Sequence, residues 1–359
     1  MSPQSTFFNM KLTEKNIEEI KQLLQNGKSK DDLVSLINFV ILLQNEQLQT
    51  TYKIVSSKKI GYYLSKRDDK YINFEIPKKS GGVRTISSPD RFLKKVQRRI
   101  VFILEALYTP KPSANGFVTG RSIVSNAKSH IGRKYVYNID LKDFFPTIHY
   151  GRVKAVLQIP PFKASPEIAH LIAHFSCYKG VLPQGSPLSP ILTNIVCQSM
   201  DYHLVKLAKH YRCFYSRYAD DITFSSDKNL FVKEKFLTEL NTIVTEQGFK
   251  VNEKKTRLQK NTQRQEVTGI IVNQKSNLKR VYIKKVRAML YNWENKGLEY
   301  CQVKLNEQYP KEKGFIRNKV TPPFENVLHG KILFLGMVRG KEDNCFKTFE
   351  AKYNELNKT

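Results

Sequence analysis

Two adjacent carboxylates, Asp220 and Asp221, follow Tyr218-Ala219 between two strand-like runs, Cys213 to Arg217 and Ile222 to Ser225. Neighbouring side chains of a regular strand point to opposite faces, so both acids can approach one site only where the backbone bends. Ile222 and Phe224 alternate with Thr223 and Ser225, which predicts a β-hairpin carrying the two aspartates at its turn. Carboxylates held that close repel one another and favour a hard cation such as Mg²⁺, which takes oxygen ligands and leaves room for substrate phosphates. Taken alone, an Asp-Asp pair is more often an ordinary acidic turn. A third acid, Asp140, ends the apolar-aromatic run Tyr135 to Asp140, where a rigid strand would hold a metal ligand at its tip. A helix N-cap is the plain alternative for that residue.

Other stretches could handle phosphate. Lys78, Lys79 and Arg84 flank Gly81-Gly82 between two extended runs, Tyr71 to Pro77 and Val83 to Ile86, a pattern that predicts a basic hairpin. Leu182-Pro183-Gln184-Gly185-Ser186-Pro187 is turn chemistry, its backbone limited by two prolines and a glycine. Asn252-Glu253-Lys254-Lys255-Thr256 adds a further pair of cations.

These pieces need elements to place them. Residues 12–50 predict two helices separated at Asn26-Gly27, the first capped by Thr13. A helix follows over about 91–107, ended by Pro110 and Pro112. The run after Asp140 predicts a helix start over Leu141 to Pro146. A single helix from Ser189 or Pro190 through Leu204 is expected next, then one over about Val232 to Gln247 closed by Gly248. A short strand is expected before Asn252. Val267 to Val272 reads as a further strand, and the chain from Lys284 onward as basic helix broken at Pro322-Pro323. With no internal repeat and no long Gly/Ser linker, the parts are expected to pack as one body.

The 359 residues carry 60 Lys and Arg against 32 acids, a net charge of +28. Such an excess points to a polyanionic partner, because cations on phosphates release counterions. The charge is concentrated: residues 250–287 hold twelve basic residues against two acids, whereas residues 1–60 are close to neutral. The most apolar run, Leu33 to Leu43, is too short for a bilayer and contains polar residues, and no signal peptide is apparent. Five scattered cysteines form no CxxC pair and are expected as reduced, buried thiols in a cytoplasmic protein.

The order of these motifs resembles the reverse transcriptases. Asp140 at a strand end, the Leu182 to Pro187 turn and the Tyr218-Ala219-Asp220-Asp221 hairpin match three family motifs in sequence, and the basic hairpin and Asn252 to Thr256 match two more. Asn126-Ala127-Lys128-Ser129-His130 is similar to the retron NAxxH pattern, and Val267-Thr268-Gly269 to the retron VTG pattern. The resemblance covers roughly residues 70–275. It implies an α+β right-hand polymerase with a helical N-terminal extension (1–70), fingers (71–135), a palm with an antiparallel sheet (136–275, with a fingers insertion at about 151–185) and a helical basic thumb (276–359). It further implies that Asp140, Asp220 and Asp221 hold two Mg²⁺ ions, Asp220 bridging both. Lys79 (or Lys78), Arg84, Phe145, Gln184 and Lys255, with Lys254 competing for the last role, would meet the dNTP, Phe145 as a planar gate against the ribose 2′-hydroxyl. For Phe145 the plain alternative is a core phenylalanine, the role expected of Phe144.

RNA recognition is implied for Asn126, His130, Val267, Thr268 and Gly269, although a lone histidine is more often structural. Enzymes of this type copy a structured noncoding RNA from the 2′-hydroxyl of an internal guanosine and make branched RNA–DNA, in systems that serve in anti-phage defence with a separate effector protein. Residues after the palm hold no second carboxylate constellation, so removal of template RNA would fall to a host RNase H. Two other classes stay open from sequence. One is a different bacterial reverse transcriptase, of group II intron, diversity-generating or abortive-infection type. The other is a noncatalytic RNA-binding module on a polymerase scaffold.

Overall fold

The computed structural model describes residues 11–78, 81–313 and 320–358. The N-terminal helices α1 (Glu14–Asn26) and α2 (Lys30–Leu48) begin as their caps dictate. Thr13 and Asn16 form a reciprocal capping box, and Ser29 accepts from the Asp32 amide. A third helix, α3 (Ser57–Ser65), leads to the ribbon of β1 (Tyr71–Pro77) and β2 (Val83–Pro89). Asp90 then caps α4 (Arg91–Leu107), whose Leu93, Val96, Ile100, Ile103 and Leu104 are buried.

Helix α5 (Ile123–Lys128) precedes β3 (Tyr135–Asp140). Beyond Asp140 the chain passes through successive turns, and helix resumes only at α6 (Tyr150–Leu157), capped by His149. The helix start expected at Leu141 to Pro146 is therefore displaced, because that stretch wraps the end of the sheet and Asp143 takes a positive φ of 47°. Helix α7 (Pro166–Ser176) follows. The single helix expected over 189–204 is two, α8 (Leu188–Val196) and α9 (Gln198–His210), divided at Cys197. Next come β4 (Phe214–Tyr218), β5 (Asp221–Ser226), α10 (Glu234–Glu246) and β6 (Arg257–Lys260). The strand expected over 267–272 is a tight hairpin, β7 (Glu266–Val267) and β8 (Ile270–Ile271), because Thr268 and Gly269 both take positive φ and reverse the chain. Three helices follow: the basic α11 (Arg280–Lys313), broken at Gly297, then α12 (Phe324–Arg339) and α13 (Asn344–Leu356), the last with two lysines balanced by two glutamates.

The central sheet has the order β4-β5-β3-β6, antiparallel throughout. Its period-2 pattern gives two unlike faces. Ile139, Tyr215, Ile222 and Phe224 join the large core with α9, α10 and the N-terminal helices, Phe224 meeting Phe236 of α10 at 5.5 Å between rings. The opposite face carries Asn138, Asp140, Ser216, Asp221, Thr223 and Ser225. Beyond the acids that face meets a second core, which joins Val136, α5 and the β7–β8 hairpin to α11, α12 and α13. Among the described residues no helix is long and apolar enough to cross a membrane. All five cysteines are free, and Cys213 and Cys345 are only partly buried rather than enclosed as expected.

Candidate active site

The register of β3 on β5 sets Asp140 directly opposite Asp221. The Leu141 amide donates to the Asp220 carbonyl at 3.1 Å, so Asp220 adjoins the same strand end. Tyr218 pairs with Asp221 across β4 and β5, leaving Ala219-Asp220 as a two-residue loop with Ala219 at φ 56°. The first acid is thus a pairing distance from the hairpin, on the order of 5 Å between Cα atoms. Two further side chains hold it. Lys255 Nζ lies 2.9 Å from Asp140 Oδ1, and Asn252 Nδ2 donates to Oδ2 at 3.0 Å. Of the two adjacent lysines, Lys255 is the one at the acids. The Asn252 amide also donates to the Asp140 carbonyl, so the strand end is fixed from both sides.

Electrostatics mark the same spot. Asp221 is exposed and lines a cavity with Asp140 and Lys255. Crowding by protein atoms there, followed by the charges of Asp220 and Asp140, pushes its carboxyl up to about 6. Asp220 is also raised, first by burial and then by the Asp140 charge. Among the described residues no three acid, His or Cys side chains form a ready-made metal cage. The donor set nevertheless fits Mg²⁺: three carboxylates are hard oxygen donors, and the charges of Asp140 and Asp220 repel that of Asp221. In this structure the Lys255 ammonium answers Asp140 instead.

Beside the acids, a cavity of about 720 Å³ is lined by Arg84, Phe145, Gln184, Gly185 and Tyr218. The turn at Gln184 is stitched to β2 by the Ser87 amide donating to the Gln184 carbonyl at 2.7 Å. Gly185 is required there, since a Cβ would stand 2.8 Å from the Ser87 carbonyl oxygen at a φ of 122°. Phe145 packs against Phe117 and Phe144, while Phe144 itself is core. Lys79 lies outside the described residues. A second cavity, of about 510 Å³, joins Asp140, Asp221, Lys255 and Arg257 to Thr268 and Gly269.

The residues expected to read RNA separate into two groups. Thr268 and Gly269 reach the surface, but Asn126, His130 and Val267 are enclosed at 0% exposure. Direct contact between those three side chains and RNA is therefore corrected: their partners lie inside the protein. His130 bonds the Ser216 and Ser225 hydroxyls, and Asn126 Nδ2 reaches Thr268 Oγ1 at 3.5 Å.

A buried network under the hairpin escapes motif reading altogether. Arg217 binds both Asp201 oxygens at 2.8 and 2.7 Å, donates to Asn194 at 3.1 Å and reaches the Ala219 carbonyl at 3.2 Å. Burial alone would lower the guanidinium, and Asp201 outweighs it, holding Arg217 well above its ordinary value. Gly116 lets the backbone approach from the other side, where a Cβ would be 2.4 Å from the Ala219 nitrogen. Arg217, immediately before Tyr218 in sequence, was the one available signal: a charged residue on the inward face of a strand.

Comparison with known proteins follows the same lines. Residues 76–272 match the family described as reverse transcriptase (RNA-dependent DNA polymerase). The retron Mx65 reverse transcriptase of Myxococcus xanthus is 39% identical over 237 residues, covering 62% of this chain and 55% of its own. The retron Ec86 reverse transcriptase of Escherichia coli is 31% identical over 243 residues, covering 66% and 74% respectively. This chain thus spans about half the length of the Myxococcus relative. Among solved structures, telomerase from Candida albicans with a fragment of telomeric RNA aligns over 97% of this chain and 79% of its own. Its identity of 11% and TM-score of 0.40 are too low to argue from. The family match and the Ec86 coverage together show that this chain belongs to the reverse transcriptases, is of the retron type, and has their α+β right-hand polymerase fold.

Proposed function

We propose that this chain is an RNA-directed DNA polymerase that copies a structured noncoding RNA, starting from the 2′-hydroxyl of an internal guanosine, to give branched RNA–DNA. The observation that carries the reading is the strand register that sets Asp140 opposite Asp221 with Asp220 at the adjoining turn. DNA synthesis is phosphoryl transfer, where catalysis is mainly positioning and charge stabilisation. When bound, two Mg²⁺ ions supply activation of the primer hydroxyl and neutralisation of the triphosphate. Asp140, Asp220 and Asp221 are the residues that would hold them.

The remaining roles fall to the chain's own cations and rings. Arg84 offers a fork to phosphate oxygens and Lys255 a point charge at the acids, with Lys79 a further candidate from the sequence. Phe145 stands as a wall for the sugar and Gln184 faces the incoming nucleotide or template base. In this reading the fingers span residues 71–135, the palm 136–275 and the thumb 276–359, and α11 to α13 with the basic segment 250–287 grip the RNA by shape and phosphate contacts. Thr268 and Gly269 present their exposed turn to it. In this reading the protein acts in the cytoplasm, host RNase H trims the template, and a separate effector completes an anti-phage system. Sequencing the nucleic acid that copurifies with the protein tests the product: a short DNA joined to RNA through a 2′–5′ linkage is expected. Unbranched DNA or no DNA would overturn the retron product.

A further inference from the structure

His130 lies just beyond α5 and is wholly enclosed. Its two ring nitrogens meet the Ser225 and Ser216 hydroxyls, each at 2.7 Å. Those serines belong to different strands of the hairpin that ends in Asp220 and Asp221, and they lie on the acids' face of the sheet: Ser216 pairs with Thr223, Ser225 with Phe214. One imidazole therefore bridges β4 and β5 diagonally, within a few residues of the turn. The row of Ser216 is tied further, since Thr223 Oγ1 donates to Asn138 Oδ1 at 3.1 Å and Asn138 Nδ2 donates to Gln259 at 3.0 Å. On the other side of α5, Asn126 meets Thr268, whose hydroxyl also donates to the Ile123 carbonyl. Residues 126–130 thus connect the two hairpins that flank the acids.

A staggered cross-strand bridge of this kind resists shear and twist between β4 and β5. Those motions would change the height of Asp221 relative to Asp140, whose place is fixed separately by Asn252 and Lys255. We propose that His130 is a positioning residue of the polymerase: through Ser216 and Ser225 it sets the twist of the aspartate hairpin against β3, and it does not contact RNA. The inference rests on the polymerase reading and deepens it. Burial, with Arg133 nearby, lowers the imidazole to about 3, so at neutral pH the ring is neutral and one nitrogen donates while the other accepts. Both serine hydroxyls then have a defined partner.

The test separates positioning from bulk stability. In His130→Phe/Ser216→Ala/Ser225→Ala an aromatic ring stays in place, the two lost serine oxygens make room for its greater size, and all three polar partners leave together, so the melting temperature is expected to stay near the parent's. With poly(rA)–oligo(dT), dTTP and Mg²⁺, kcat is expected to fall by about tenfold or more while KM for dTTP changes by less than about twofold. Amide exchange across 218–223 should quicken in the same variant. Ser216→Ala/Ser225→Ala, which retains the histidine, gives a second measurement if the triple variant does not fold, and the same fall in kcat is expected. A folded variant with parental kcat and parental exchange would overturn the positioning role alone. A kcat unchanged while RNA affinity drops would overturn it in favour of recognition. An inactive parent would overturn the polymerase reading and this inference with it.

Discussion

Replacing Arg217 by Met probes the support beneath the acids. Both Arg217 and Asp201 have 0% side-chain exposure, and the pair is bidentate. Arg217→Met leaves a buried carboxylate whose remaining donor is the Tyr215 hydroxyl at 2.6 Å. Breaking a buried pair by removing one partner costs about 3–5 kcal/mol. At about 2.1 cal/mol/K of unfolding entropy per residue, a chain of 359 residues would lose roughly 5 °C of melting temperature for a cost in the middle of that range. Arg217→Met/Asp201→Leu removes the charge along with its partner and should regain most of that loss. Activity should not return with stability, because the donor to the Ala219 carbonyl is absent in both variants. Differential scanning fluorimetry paired with primer extension reads both quantities. A single variant melting within about 1 °C of the parent, or a double variant as unstable as the single, would refute the reasoning.

Three other outcomes follow from the geometry. Phe145→Ala removes a ring that lines the cavity beside the acids and should raise rNTP incorporation relative to dNTP; unchanged discrimination places the gate elsewhere. Lys255→Met removes the ammonium that pairs with Asp140 and should lower kcat/KM for dTTP by about tenfold, the size of one charge-assisted contact; a parental value removes Lys255 from the site. His130 should make stability pH-dependent: its folded value of about 3 lies below the unfolded value near 6.5, so the unfolded chain binds the extra proton. That contribution is present above pH 6.5 and is lost as pH falls, by about 1.3 kcal/mol between pH 7 and 5.5. Urea unfolding of the parent and of the His130→Phe/Ser216→Ala/Ser225→Ala variant at both pH values should differ by that amount, and identical pH dependence would contradict it.

Local chemistry explains which parts of the chain could be read in advance. Glycines and prolines punctuate β1, β2 and α4, and the Tyr-Ala-Asp-Asp turn interrupts a clean alternation, so these elements fall where expected. Strand β6 gave no such signal. Apart from Leu258 its residues are basic or polar because it is the sheet's edge, and its pairing with β3 makes it a strand. The β7–β8 hairpin hides inside an apolar run, since its reversal depends on positive φ at Thr268 and Gly269 rather than on a polar turn. Side-chain burial was the harder quantity. His130 and Asn126 sit in a motif that resembles a recognition signature, yet their hydrogen bonds join segments 86–142 residues apart, which spacing cannot reveal. Arg217 and Asp201 pair across a helix and a strand for the same reason.

The most direct test of the account is primer extension on poly(rA)–oligo(dT) with dTTP and Mg²⁺, comparing the parent with Asp140→Ala, Asp220→Ala and Asp221→Ala at matched folding. The parent should lengthen the primer and stop doing so when the metal is chelated, and Asp140→Ala and Asp220→Ala should each abolish synthesis. Extension that survives loss of Asp140 or Asp220, or a parent that never adds a nucleotide, would contradict it.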